Sequence, residues 1–533
     1  MNLWTTLLFI IALNAFNTEE SRLLSVKVVD EKGDTLPCRA WVESGGARLF
    51  RPASPAESTP YERDQSFSCP GYFSIRVPGK EASIHVEKGK EYQPVERQIT
   101  LSGKEHSVTI ELRRWINMPE EGWYSADMHV HLGADRPDIL KQLALADDVH
   151  LTPVFTYWLR GTEPSWPDQW PAAGEGREEV IDSTHVVTRQ NIEIERIHRA
   201  SPPGASIGAS FLFNLDQPVF SGRYGRHFPT DATLCLAARE HSPEVVIDTD
   251  KASWAETVVG AALGAFDTVQ VCHNHFHREQ TLSGGWGMVA PLLAGESNAS
   301  GGDGLFHRTN SLYYRFLNCG FRLGVSGGSA IGVMPVPMGY SRVYARVEEP
   351  FSSEKFWAAV KTGQTFATSG PILDMTVDGY PIGATVKPAS AIVEVKARVR
   401  SIDRLETVQL IHDGKVAGDN DLISLPVEPS IDHLVSWQIT PKRSGWVAAR
   451  VLFRGPQGHL RQAHTSPVYL MIDEMPIANK EDATYMIRWI NELVKIAHQD
   501  GRFPKKSDRD SVLRIYAKAK SVYEKVLVKA DGL

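Results

Sequence analysis

The stretch Gly122-Trp123-Tyr124-Ser125-Ala126-Asp127-Met128-His129-Val130-His131 decides how this chain reads. Its apolar and aromatic lead-in predicts a buried strand. The strand ends on an aspartate and two histidines one residue apart. Side chains on a strand alternate, so His129 and His131 point the same way. Two imidazoles on one face can share a divalent ion at Zn–N distances of about 2.0–2.1 Å. The first functional expectation is therefore a metal-dependent hydrolase.

Working outward, residues 117–370 alternate apolar strand-like runs with helix-like stretches. The runs include Leu151–Thr156, Phe211–Leu215, Val245–Ile247 and Thr268–Val271. The helix-like stretches include Asp138–Asp147 and Ala252–Gly264. This alternation predicts βα units around a parallel sheet or barrel, in which functional side chains gather at the C-terminal strand ends. His129 and His131, Asp248 and Asp250, and His273 and His275 all fall where a strand run ends.

The flanks have a different pattern. Residues 21–115 show short alternating strands with Gly and Asp turns and predict a small β-sandwich, weakly similar to carboxypeptidase-regulatory-like modules. Residues 371–472 predict a second β-sandwich. Residues 477–533 predict a helical hairpin with one stripe of Met486, Ile490, Leu493 and Ala497, ended by Gly501, and another of Val512, Ile515, Ala519, Val522 and Val526. The expected fold class is thus multidomain α/β.

At 533 residues the chain is too long for one domain. Its 57 basic and 64 acidic residues give a net charge of −7 with no basic run, so nucleic-acid binding has no electrostatic footprint. Residues 1–16, a short apolar run ending in small residues, fit a secretory signal peptide and predict export. No later segment has 18 consecutive apolar residues, so no membrane span is expected in the mature chain. Cys38 and Cys69 could pair in an oxidising compartment or remain small buried residues. Cys235, Cys272 and Cys319 lack zinc-knot spacing.

Three further constellations carry chemical potential. In Cys272-His273-Asn274-His275-Phe276-His277 alternate histidines share a face if the strand continues, which makes His273 and His275 candidate metal ligands. In Asp248-Thr249-Asp250-Lys251 a buried carboxylate needs a partner or an ion. Asp250 is a candidate ligand or a helix N-cap, Asp248 a candidate base, and Lys251 a candidate holder of developing negative charge. In Asn191-Ile192-Glu193-Ile194-Glu195-Arg196, with His198 close by, Glu193 and Glu195 share a strand face as ligand, as general acid or base, or as a solvated charge run. Glu195 is taken as the candidate catalytic group. Tyr157, Trp158, Trp166 and Trp170 suggest an aromatic loop wall suited to a flat or sugar-like ligand, or simple loop packing.

In their order along residues 117–375 these pieces resemble the PHP (polymerase and histidinol phosphatase) superfamily, and within it the secreted CehA/McbA-type metallohydrolases. The resemblance rests on Asp127–His131 after Gly122-Trp123-Tyr124, on Asp148–Val154, Asn191–Arg196, Asp248–Lys251 and His273–His275, and on Gly339–Tyr344 and Gly363–Pro371. It implies a distorted (β/α)7 barrel holding zinc, manganese or iron and hydrolysing a small ester, phosphoester, carbamate or sugar derivative. Two departures stand out. Phe155-Thr156-Tyr157-Trp158 replaces the family's Thr-Asp-His, and Gly324–Ala330 lacks its Asp-x-His. What remains is one ion or a reduced cluster on His129, His131, an acidic residue and His275. The alternative is a non-catalytic extracellular carbohydrate- or protein-binding protein on the same scaffold. Oligomeric state is not legible.

Overall fold

The computed structural model describes residues 21–53, 58–132, 136–160, 170, 176–197, 206–218, 224–282, 302–427, 430–499 and 502–532. The chain divides into two compact units. One comprises residues up to 87 together with 94–112, and the other residues 88–93 and 113 onward.

The first unit is all β. Arg22–Val29 pairs antiparallel with Tyr72–Val77 and parallel with Glu105–Glu111. A second sheet is built from Thr59–Tyr61, Ser66–Cys69, Cys38–Ser44, Glu81–Glu87 and Val95–Thr100. Alternation puts Leu24, Val26 and Val28 inside, and the sheets meet where Phe67 packs edge-on against Phe73 at 4.8 Å. Cys38 and Cys69 are buried register partners with sulfurs 3.6 Å apart, present as free thiols.

The second unit is mixed α/β. Residues 88–93 belong to it because Glu91 is fully buried there. Its carboxylate accepts from Arg114 at 2.7 Å, from the Met118 amide at 2.9 Å and from the Tyr344 hydroxyl at 3.2 Å. A twelve-stranded sheet carries Trp123–Ala126 at its middle, between Leu151–Pro153 and Arg342–Arg346. A six-stranded sheet runs Tyr157–Arg160, Ile192–Arg196, Gly208–Phe213, Val246–Thr249, Thr268–Cys272, Gly324–Gly327. The two are stitched along the segment after Ala126. The Met128 amide donates to Gly327 O at 3.1 Å, and Val130 bridges both Val154 and Ile331.

Neither sheet is all parallel, contrary to the simple βα expectation. Gly208–Phe213 runs antiparallel to both neighbours, and Arg342–Arg346 antiparallel to Trp123–Ala126. An antiparallel neighbour needs no crossover helix, and none is found between Arg196 and Gly208 among the described residues.

The second β region shares a sheet with the site region. Leu460–Thr465 pairs with Thr365–Thr368, and Gly445–Arg454 continues beyond it. A four-stranded sheet with Ile372–Val377 and Val393–Ser401 packs over this end through Met375, Val395, Val399, Val408 and Val451.

Helices Lys480–Ala497 and Lys506–Asp531 form the C-terminal pair. Asn479 caps the first by accepting from the Asp482 amide at 3.0 Å. In the second, Tyr516 and Tyr523 are buried, while Ile515 and Val522 are only half-buried. Val512, Ala519 and Val526 are buried as expected, and Tyr516 and Tyr523 take the places expected of Ile515 and Val522. The tyrosines go inward because their hydroxyls have partners, Glu256 Oε1 at 2.6 Å and Val258 O at 2.8 Å. Gly501 lies outside the described residues, as do residues 1–20. Among the described residues no helix is long and apolar enough to cross a membrane.

Trp446 joins the helix Gly302–Asn318 to the long sheet. It is fully buried, and its indole N–H donates to Asn318 Oδ1 at 2.7 Å. Trp446→Ala is expected to cost about 3–5 kcal/mol in denaturant unfolding, whereas the half-exposed Val416→Ala stays within about 0.5 kcal/mol.

Candidate metal centre

The site starts from Asp127. The strand Trp123–Ala126 delivers this carboxylate into the interior, where Oδ1 accepts from the amides of His129 at 3.0 Å and Ser329 at 2.8 Å. Its Oδ2 accepts from the Gly339 amide at 2.7 Å and from the Ser329 hydroxyl. Burial pushes Asp127 up to about 6 despite these donors. The carboxylate thus ties the His-x-His segment to the loop 329–339. Gly328 completes the seat, since a Cβ there would lie 2.5 Å from the Cβ of His129.

Met128 packs in the core with Tyr124, Ala126 and Phe211, while the His129 and His131 rings lie together at 4.9 Å. Their Nε2 atoms stand 2.9 Å apart. Glu193, from the strand Ile192–Arg196, brings Oε2 to 3.2 Å from His131 Nε2 and 3.9 Å from His129 Nε2. Ligand atoms around a tetrahedral ion bound at about 2.0–2.1 Å lie about 3.3 Å apart, so the three fit one cation.

The electrostatics agree with this fit. Burial holds His129 well below the usual histidine range, helped by the Lys251 ammonium. Burial does the same for His131, helped by His129. Both rings are therefore neutral, as metal ligands must be. Burial, with Glu195 and Asp250 nearby, pushes Glu193 well above the carboxylate range, and its Oε2 is buried without a hydrogen-bond partner. An uncompensated buried carboxylate calls for a cation. Buried His and Glu groups here can hold a metal ion.

The other expected residues divide. Asp250 is not among the converging three. Its Oδ1 lies 3.7 Å from His129 Nδ1, while Oδ2 accepts from Lys251 Nζ and from the Trp254 indole at 2.9 Å. It sits behind the ring, where a carboxylate orients a ligating histidine. His275 lines the same cavity as His129, His131 and Glu193 without joining the three. His273 is turned away. The chain leaves the strand at Cys272, after a register shift, and His273 engages Thr309 Oγ1 at 3.2 Å and the His275 amide at 3.3 Å.

Asp248 does not line the cavity. It accepts from Thr268 at 2.7 Å, Ser326 at 2.6 Å and Gln270 at 2.8 Å, and burial pushes it up to about 7. Its carboxylate is thus satisfied by three donors within the core. Glu195 does line the cavity, with Arg160 Nε 2.9 Å from its Oε2. Glu193 and Arg160 carry more of the site than the sequence assigned them. The shared face of Glu193 and Glu195 was visible, but their depth along the strand was not.

Trp158 packs on His131 at 4.2 Å and carries Arg160 over its outer face at 4.0 Å. Tyr157 points to the opposite side and stacks on Trp170 at 5.7 Å, so the expected aromatic wall contributes Trp158 alone of these three. Trp166 and His198 lie outside the described residues.

No protein-family model matches this chain, and no curated protein matches it either.

A second buried group, Asp148, His150 and His185, has metal-like proximity. Its chemistry differs. His150 Nδ1 accepts from the Ser125 amide at 2.9 Å, so the neutral ring carries its proton on Nε2 and has no second lone pair to give. Asp148 is already compensated by Arg114 at 3.2 Å and Lys88 at 3.7 Å. The cluster is an ion-pair network in which His185 lies 3.5 Å from Asp148 and 3.0 Å from Asp182.

Burial lowers the His185 pKa, but the two carboxylates outweigh it and hold the group above its ordinary value. A raised histidine stabilises the fold fully below its unfolded pKa of about 6.5, and that stability is lost as pH rises through the folded pKa. The unfolding free energy should therefore fall above about pH 6.5. The fall should be shallower in His185→Gln, as measured by denaturant titration across pH.

Proposed function

We propose that this chain is a metal-dependent hydrolase of the PHP type, with residues 117–370 forming a PHP-like barrel that holds zinc, manganese or iron. The observation that carries the reading is the convergence of His129 Nε2, His131 Nε2 and an unpartnered Glu193 Oε2 in a buried cleft. Substrates are a small ester, phosphoester, carbamate or sugar derivative. A bound divalent ion would supply Lewis acidity and lower the pKa of a coordinated water towards about 7.

The chain's own residues do the rest. His129, His131 and Glu193 supply the ligand atoms, and Asp250 orients His129 from behind. Glu195 lines the cleft with the Arg160 guanidinium on its Oε2, and with Glu193 given to the ion it is the proton acceptor. Trp158 packs on His131, and the Arg160 guanidinium lies over the Trp158 ring while holding Glu195.

The test combines elemental analysis with a panel of phosphomonoesters, carboxyl esters and carbamates. The wild-type chain should retain metal and hydrolyse at least one class. His129→Ala and Glu193→Gln should lose the metal and more than about 100-fold of the rate, since even outer-shell changes at metal sites cost about 10–100-fold. Glu195→Gln should keep the metal and lose about 10²–10⁴ in rate. Metal-free protein with unchanged stability in His129→Ala would favour the binding-protein reading instead. Bound metal without turnover would mark a structural ion.

A further inference from the structure

The charged side chains lining the cleft are Glu193, Glu195, Asp250, Arg160 and Lys251. They do not all await a metal. Arg160 already neutralises Glu195, with Nε 2.9 Å from Oε2. Lys251 already neutralises Asp250, with Nζ on Oδ2, and both are buried to within 2% of complete. Only Glu193 is left uncompensated. The described residues of this cleft therefore hold one net negative charge, enough to accompany one divalent ion with two neutral imidazoles.

We infer that the buried Asp250–Lys251 pair occupies the position of a second metal and restricts the centre to a single ion. The inference rests on the hydrolase reading above and adds a role for this pair that the ligand set alone does not give. Asp250 Oδ1 is buried without a hydrogen-bond partner and faces the unpartnered Nδ1 of His129 at 3.7 Å, with His275 lining the same cavity. The Asp250 carboxylate would otherwise attract a cation, whereas His129 Nδ1 carries the ring proton when Nε2 faces the ion. The Lys251 ammonium, bound to the other oxygen of the same carboxylate, puts a fixed positive charge there instead. A divalent ion brought beside it meets like-charge repulsion in a site with little water to screen it. Lys251 cannot swing away cheaply, because it is almost fully enclosed and its ammonium stands 5.1 Å from the Trp254 ring.

Apolar rings flank the His pair. Phe211 lies 4.5 Å from His129, and Phe155 lies 5.3 Å from His131. Phe155 begins the four-residue segment in which ligands were expected and are missing. Lys251 thus places a cationic group beside Asp250 and His129 that a chelator does not remove.

The experiment is a titration of the chelator-stripped, full-length chain with Mn2+. Stoichiometry is read by equilibrium binding, and coupling between ions by electron paramagnetic resonance. The wild type should bind one equivalent with the hyperfine pattern of isolated Mn2+. Lys251→Met and Lys251→Gln, which free the Asp250 carboxylate, should bind a second equivalent and show a coupled pair. Lys251→Arg should stay at one.

Two coupled ions in the wild type would overturn the inference while leaving the hydrolase reading intact, and that result needs no variant to fold. A folded Lys251→Met or Lys251→Gln, checked by circular dichroism, that still binds one equivalent would also overturn it. No bound ion in the wild type would overturn both.

Discussion

A carboxylate buried against two imidazoles is the constraint around which this site is organised. Glu193 is enclosed, has one oxygen without a hydrogen-bond donor, and is pushed well above its ordinary pKa by burial. Burial of an anion without a partner is costly, and the neighbouring rings are themselves held neutral. The arrangement is poorly satisfied alone and well satisfied around a cation. The supporting parts follow from it. Asp127 fixes the His-x-His backbone, Gly328 leaves room for His129, and Asp250 stands behind that ring.

The fold supplies the convergence through short strands from both sheets. His129 and His131 follow a strand of the twelve-stranded sheet, Glu193 lies on a strand of the six-stranded one, and Asp250 follows another of its strands. The segment Met128–His131 runs between them, held by Gly327 and Ile331. Because the long sheet continues through Thr365–Thr368 into Leu460–Thr465, the second β region is built onto the same framework as the site.

Much of this was legible in sequence where a simple period governs. The His-x-His pair, the shared face of Glu193 and Glu195, and the helical pair all follow from alternation or the 3.6-residue repeat. What was not legible depends on local breaks and on depth. The histidine run 273–277 reads as a strand, but a register shift at Gln270–Cys272 and the turn after it send His273 to Thr309. Asp248 and Asp250 look equivalent in sequence, yet one is a mid-strand core group with three donors and the other lies past the strand end beside His129. Tyr516 and Tyr523 replace Ile515 and Val522 in the expected stripe because their hydroxyls find acceptors that no local pattern reveals.

The most direct measurement is X-ray absorption at the metal edge on the zinc-loaded full-length chain. The account predicts two imidazole nitrogens and a carboxylate oxygen at about 2.0–2.2 Å, with the imidazole scattering lost in a chain carrying alanine at both 129 and 131. A first shell unchanged by those substitutions, or one containing sulfur, would contradict it.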